Sequence, residues 1–345
     1  MNAALNPRNH EITKSGPLLN PDGTLREPGW ARKLLLDYDR KAIAAPRWRI
    51  KEWDYYLAVN STAAVAFTIC DAGYFGMVSV SVIDFVRVNE HTETVLVPFP
   101  MGRFNLPRSS ADGVSQFANS RVQIRFATTE SGRTISCRMR NFNKGADLEC
   151  ELEMQQPPMD SMVIATPWAQ NPHAFYYNQK INCMPVSGSV RWGSQSIDFT
   201  ADTDFCTLDW GRGVWTYDNR WFWGSGNARI DGVPFGFNIG YGFGDTSAAS
   251  ENVIFYDGVA HKLDDVKFHI PENYTDPWRF SSSDQRFETT FEPIIDRSAR
   301  MSVGVVATDQ HQVFGRMSGQ VVLDDGTVLT LQDVLCFAED VHNRY

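Results

Sequence analysis

RVQIRFA (Arg121 to Ala127) and DLECELEM (Asp147 to Met154) are the stretches that decide how this chain folds. In the first, Val122, Ile124 and Phe126 alternate with Arg121, Gln123 and Arg125. In the second, Leu148, Cys150, Leu152 and Met154 alternate with Glu149, Glu151 and Glu153. A period of two puts the apolar set on one face of an extended chain and the polar set on the other, as in an antiparallel strand with one wet face. GMVSVSVIDF (Gly76 to Phe85) and RTISCRMR (Arg133 to Arg140) behave alike. So do SGSVRWGSQSIDF, NARIDGVPFGFNIG, DDVKFHI, RFETTFEP and GQVVLDDGTVLTLQDV in the second half. Turn signals separate these runs at Ile230 to Gly232, Tyr256 to Gly258 and Asp324 to Gly326. The one helix-like segment, PGWARKLLLDYDRKAI (Pro28 to Ile43), reads either as a helix or as a lead-in to the first strand. The chain is expected to be all-β.

MQQPPMDSMVIATPWAQNPHAF (Met154 to Phe175) breaks the alternation with four prolines and is the expected domain boundary. The expected organisation is a lead-in over 1–45, a first β domain over 46–158 and a second over 159–345. Many short strands over such lengths suit up-and-down sheets or barrels, which can hold a ligand in the mouth.

Bulk properties narrow the functional classes. The 345 residues are 43% hydrophobic and 12% aromatic, enough for sizeable cores without cross-links. A net charge of −9 with no basic stripe argues against a nucleic-acid partner. No apolar run is long enough to span a bilayer, so no integral membrane span is expected. The N-terminal segment lacks the basic stretch and apolar core of a signal peptide, and the expected location is cytoplasmic. The six cysteines form no C-x-x-C or Cys/His ligand spacing, so neither a metal site nor a disulfide framework is expected.

Four of the ten tryptophans, Trp210, Trp215, Trp221 and Trp223, fall in TLDWGRGVWTYDNRWFWGSGN (Thr207 to Asn227). Alternation puts Trp221 and Trp223 on one face and Phe222 on the other. Gly211, Gly213, Gly224 and Gly226 admit bulges or close backbone approach. Asp209 and Arg212 are close enough to pair across a bulge, which would set the ionisation of the carboxyl. Aromatic surface beside charge suits a site for an apolar or aromatic ligand, with Tyr217 as a polar partner. An inter-domain contact stapled by the same pair fits the residues equally well.

RWRIKEWDYYLAV (Arg47 to Val59) reads as a strand with Trp53 and Tyr55 on one face and Glu52, Asp54 and Tyr56 on the other. Glu52 is either an acid or orienting group, or one charge of a solvated face. GFNIGYGFGDTSAASEN (Gly236 to Asn252) has three closely spaced glycines but neither the following helix nor the Gly-Lys-Ser/Thr of a nucleotide loop. Its Asp245 and Glu251 are candidate polar residues at a barrel rim. His173, near Tyr176, and His311 are candidates for proton transfer or for ordinary structural histidines. No G-x-S-x-G or H-E-x-x-H motif and no nucleophilic-cysteine context occurs, which disfavours hydrolysis through a covalent serine or a metal.

RWRIKEWDYY, HAFYYNQKINCMPVSG, LDWGRGVWTY, WFWGSG, NIGYGFGDTSAASEN and HQVFGRMSG together resemble domain-of-unknown-function family 2804, from about Pro17 to Tyr345. More distantly, KEWDYY (Lys51 to Tyr56) is similar to the Glu-Trp-Trp-Tyr opening strand of carotenoid 1,2-hydratase-like and AttH-like proteins. Their second domain carries an Asp/His-rich segment, a Trp-x-Trp strand and an Asp-Gly turn. Asp209, Trp221-Phe222-Trp223 and Asp231-Gly232 stand here in that order. Trp210, not histidine, follows Asp209, and Asp54 stands where those proteins have a second tryptophan. The resemblance implies two packed lipocalin-like antiparallel β-barrel or sheet domains behind a short lead-in. It also implies chemistry at an acidic residue within aromatic walls, without metal or organic cofactor, as in hydratases of isoprenoid double bonds and lipocalin-like cyclases.

The expected function is therefore cofactor-independent acid–base chemistry of the hydratase, isomerase or cyclase type on a hydrophobic small molecule. Asp209 is the expected proton donor, Arg212 its regulator, and Glu52 and His311 the secondary groups. Trp53, Tyr176, Trp210, Trp215, Tyr217, Trp221 and Trp223 are the expected walls, with Asp245 and Glu251 as polar contacts. Two other classes fit the residues: a non-catalytic carrier or sensor of a lipid or terpenoid, and a carbohydrate-active protein with two carboxylates facing one pocket.

Overall fold

The alternating segments become strands almost throughout. The computed structural model describes residues 8–130, 132–303 and 306–344. The first seven residues of the lead-in lie outside them. The lead-in supplies β1 (Gly16–Pro17), β2 (Gly29–Ala31) and β3 (Leu36–Asp37), with a 3-10 turn at Arg40–Ala42. Pro28 to Ile43 is thus a lead-in and not a helix.

Two meanders follow. The first is β4 (Ile50–Val59), β5 (Ala63–Asp71), β6 (Phe75–Asp84) and β7 (Asn89–Pro98). The second is β8 (Val114–Ala118), β9 (Val122–Thr129), β10 (Gly132–Asn143) and β11 (Ala146–Gln155). They are joined by β12 (Met162–Trp168), β13 (Asn171–Trp192), β14 (Gln195–Phe199) and β15 (Phe205–Val214). The result is a thirteen-stranded antiparallel sheet of order β7-β6-β5-β4-β15-β13-β11-β10-β9-β8, with β12 and β14 paired to β13 and β2 paired to β12.

The second sheet comprises β16 (Asp218–Ile230), β17 (Val233–Tyr241), β18 (Val253–Tyr256), β19 (Val259–Lys262) and β20 (Val266–His269). It is completed by β21 (Trp278–Ser282), β22 (Phe287–Val303), β23 (Val306–Val322) and β24 (Val328–Arg344). Its order is β19-β18-β17-β16-β24-β23-β22-β21-β20. Each sheet curls into a half-barrel, giving the expected all-β, double lipocalin-like architecture.

The boundary differs from the expected 158/159. The chain passes between sheets only after Val214, so residues 162–214 belong to the first sheet. Pro157 and Pro158 mark a crossover inside that sheet, while Pro167 and Pro172 lie within the β12–β13 hairpin. The near half of the 22-residue β13 pairs with β12, and its far half with β11 and β14. Pro167 lies beyond the three residues of β12 that pair with β2, at an edge where its missing N–H costs nothing.

Each half-barrel has its own core. Phe67, Ile124, Phe126, Ile135 and Leu148 fill the first; Phe237, Phe280, Phe287 and Phe291 fill the second. Burying one such phenylalanine contributes roughly 1.5–3 kcal/mol. Two further clusters lie between the sheets, one around Trp30, Ile164, Tyr176, Trp215 and Phe243, the other around Leu57, Phe85, Trp223, Phe314 and Phe337. Strand β15 is buried along its whole length. Cys206, Leu208 and Trp210 face the first core, while Phe205 on the other face meets the inter-sheet cluster.

Candidate functional site

Between the two sheets lies a cavity of about 280 Å³, near the lower end of the range for small-molecule sites. Alternation selects its walls. Lys51, Trp53 and Tyr55 come from one face of β4, and Thr68 and Cys70 from β5. Tyr176 and Lys180 come from β13, Asp209 from β15, and Trp221 and Trp223 from β16. Gln310 and Gln312 of β23, Glu339 and Val341 of β24, and the loop residues Trp215, Phe243 and Glu251 add to the lining, with Met77, Ser79, Glu90 and Arg297 further out. Thr92, Ser298 and Ala299 are exposed and mark its open side.

One end is aromatic. Trp53 and Tyr176 are stacked at 6.1 Å, and Tyr176 stacks on Phe243 at 4.5 Å. Trp215 stands edge-on to Trp53 at 5.2 Å, and Trp221 lies 4.6 Å from Phe243. Gly211 makes the close approach of Trp53 feasible: a Cβ added there would lie 1.9 Å from Cζ2 of that indole.

The other end is charged. Lys180 Nζ stands 2.8 Å from Asp209 Oδ1 and 3.9 Å from the centroid of Trp223. Asn178 Nδ2 donates to the same Asp209 oxygen at 2.6 Å. Glu339 accepts from Trp221 Nε1 and from Gln312 Nε2, each at 3.1 Å. Arg297 Nη1 donates to Gln312 Oε1 at 2.6 Å, linking Glu339 towards the open side. Burial pushes the Glu339 carboxyl up to about 7, against the opposing pull of the Trp221 hydrogen bond and of Lys180. Burial likewise raises Glu251, which shares Lys180 and Asp209 as charged neighbours. Three carboxyl groups thus surround one ammonium. Burial also pushes the Tyr55 phenol and the Cys70 thiol up to about 12, so neither is a ready nucleophile near neutral pH. Among the described residues no group of three or more His, Cys, Asp or Glu side chains is placed to hold a metal ion.

Of the residues singled out in the sequence, Asp209, Trp53, Tyr176, Trp215, Trp221, Trp223 and Glu251 meet in this cavity. The others do not. Arg212 lies three residues from Asp209 on a strand without a register shift against β4, so the two point to opposite faces. Its guanidinium pairs instead with Asp54, Nη1 to Oδ1 at 3.0 Å, and lies over Trp210 in the first core. Glu52 shares that opposite face, bonded to Tyr38 at 2.8 Å and paired with Arg40. His311 sits one residue out of phase with Gln310 and Gln312, with Nδ1 2.7 Å from Asp296 Oδ2 and its ring stacked on Tyr274. Tyr217 and Asp245 are exposed outside the cavity.

Sequence reasoning missed Lys180, Glu339, Gln312, Phe243 and Lys51. Lys180 was within reach, because Tyr176, Asn178 and Lys180 share one parity of a quoted string. Glu339 sits at alternating spacing between Phe337 and Val341, a charge embedded in an apolar row.

This arrangement defines a class: a double lipocalin-like β protein whose half-barrels enclose an aromatic-walled cavity with buried carboxyl groups. The chain belongs to the family described as domain of unknown function DUF2804, which it matches over residues 9–345. In fold it is similar to an AttH-like protein of Nitrosomonas europaea, with a TM-score of 0.53, 12% identity and coverage of 89% of this chain and 96% of that one. It is also similar to kievitone hydratase of Nectria haematococca, with a TM-score of 0.50, 8% identity and coverage of 96% and 98%. No curated protein matches it in sequence. No helix among the described residues is long and apolar enough to cross a membrane.

Proposed function

We propose that the protein is an acid–base enzyme of the hydratase or isomerase type, acting on an unsaturated hydrophobic molecule held between its sheets. The observation that carries this reading is Glu339: a carboxyl raised to about 7, facing a cavity walled by tryptophans. Near neutral pH such a group is partly protonated and can deliver its proton to a carbon–carbon double bond. Trp221, Trp223 and Tyr55 line the cavity there, and an aromatic ring favours developing positive charge over its face. Asp209, held by Lys180 and Asn178, is the group suited to orient or deprotonate the incoming water. Proton donor and base are therefore different carboxyls, and the donor role passes from Asp209 to Glu339. The hydratase among the structural neighbours agrees with this chemistry through fold alone.

The test begins with native mass spectrometry of protein purified from its own host, to identify the class of compound bound. Incubating that compound in heavy water then reads the chemistry. Deuterium at carbon, lost in Glu339→Gln, is the expected result. A stoichiometric lipid or terpenoid recovered unlabelled would make the protein a carrier. A bound sugar would make it carbohydrate-active.

A further inference from the structure

The cavity has a second pole that the proposed chemistry does not use. Lys51, Trp53 and Tyr55 line it from one face of β4, and Gly213, Gly211 and Asp209 stand beside them in register on β15. Lys51 lies four residues from Tyr55, so at ~3.3 Å per residue its row is about 13 Å along the sheet from the row of Asp209. Trp53, in register with Gly211, stands in the row between, and it is stacked on Tyr176, which is level with Lys51 across Gly213. Lys51 is only 3% exposed, and its Nζ donates to the Ala72 carbonyl at 3.2 Å. The ammonium lies 5.2 Å from the ring centroid of Tyr74 and 5.7 Å from that of Trp215.

A cation between ring faces in a wall of low polarity attracts an oxyanion far more strongly than it would in water. At the far pole Asp209, Glu251 and Glu339 all border Lys180, and the other lining cation, Arg297, is turned to Gln312 Oε1. We propose that Lys51 recognises a carboxylate on the ligand, whose flat apolar body lies along Trp53 and Tyr176 and whose reacting carbon reaches the Lys180–Asp209–Glu339 end. The inference rests on the proposed function and adds the substrate class to it: an unsaturated, flat, hydrophobic acid. Lys51 acts in binding and orientation, not in the proton transfer.

Around Lys51 stand Asp71 and the neutral Cys70 thiol on β5, the Tyr74 ring, and Arg49 two residues earlier on the chain. Asp71 accepts hydrogen bonds from the backbone N–H groups of Gly73 and Gly102. Burial brings the Lys51 ammonium down to about 8, so an acid that needs this charge binds less well as pH rises through and beyond that value.

The probes are 4-phenylcinnamic acid and its carboxamide, equal in shape and different in charge, with binding read by quenching of tryptophan fluorescence. In the wild type the acid is expected to bind at least about tenfold more tightly than the amide near pH 6.5, the preference fading towards pH 9.5. Lys51→Met should abolish the preference, and Lys51→Arg should keep it over the whole range. Equal affinity of the two probes in the wild type overturns the inference while leaving the cavity as a binding site. An acid preference that survives in Lys51→Met also overturns it. Failure of both probes to bind the wild type overturns the inference and the cavity reading together. The wild-type comparison decides the matter even if a variant fails to fold.

Discussion

Asp209 gives its carboxylate to Lys180: the ammonium stands 2.8 Å away, directly across the β13–β15 pairing. This one contact divides the labour among the buried acids. Asp209 has a fixed cationic partner, whereas Glu339 has neutral donors from Trp221 and Gln312.

The pH dependence of turnover follows from that division. With Glu339 as the acid, kcat/KM should fall as pH rises through about 7. Lys180 lowers the Glu339 value and Asp209 raises it. Lys180→Met should therefore move this limb to higher pH, and Asp209→Asn should move it to lower pH. Glu339→Gln should reduce kcat by about 10²–10⁴-fold and leave no such limb. Shifts of both variants in the same direction would remove Glu339 from the acid role.

Stability carries the same signature with a defined sign. Glu339 moves from its ordinary 4.5 to about 7 on folding, so the folded state holds this proton more tightly. The contribution is fully present below 4.5 and is lost as pH rises through 7, roughly 3 kcal/mol across the window. Glu339→Gln has no proton to lose. Relative to the wild type, its unfolding free energy in urea should rise between about pH 5 and about pH 8, by an amount of that order. Parallel curves for the two proteins would mean that burial does not perturb this carboxyl.

How far the sequence reached is itself a matter of strand parity. Strands with one wet face, such as Val122–Thr129 and Ala146–Gln155, announce themselves, because water enforces alternation. Phe205–Val214 is buried on both faces, so nothing in its composition says which side is which. Asp209 and Arg212 were therefore joined across a bulge that this strand does not make against β4. Glu52 and His311 each sit one residue away from a true lining position, Trp53 and Gln312 respectively. Glu339 reaches Asp209 only because β24 and β15 belong to different sheets that close on one another, and no local pattern encodes that meeting.

Gly211 tests the aromatic wall. The space its missing side chain leaves is occupied by the Trp53 indole, with no slack for even a methyl group. Gly211→Ala should drive Trp53 off its stack on Tyr176, at a cost of about 1–3 kcal/mol in overpacking. Ligand affinity should fall with it, while the far end around Glu339 keeps its hydrogen bonds. Unchanged tryptophan fluorescence and unchanged binding in this variant would contradict the close approach.

Arg212 and Asp54 supply the converse case, a buried charge pair on the face that the cavity does not use. Arg212 is fully buried, bonded to Asp54 and to the carbonyls of Trp53, Gly211 and Pro107. Replacing it with methionine leaves the Asp54 carboxylate in the core with, among the described residues, only the Ser115 hydroxyl as a side-chain hydrogen-bond partner. Breaking one side of a buried pair costs about 3–5 kcal/mol, so Arg212→Met should lower the urea midpoint sharply. Asp54→Asn in the same chain should recover part of that loss, because the stranded charge is gone. What folded protein remains should keep the acid limb of turnover at its wild-type pH, since Arg212 is not among the charges that set Glu339. A displaced limb in Arg212→Met would return this arginine to the chemistry and overturn the division of the sheet into a structural face and a ligand face.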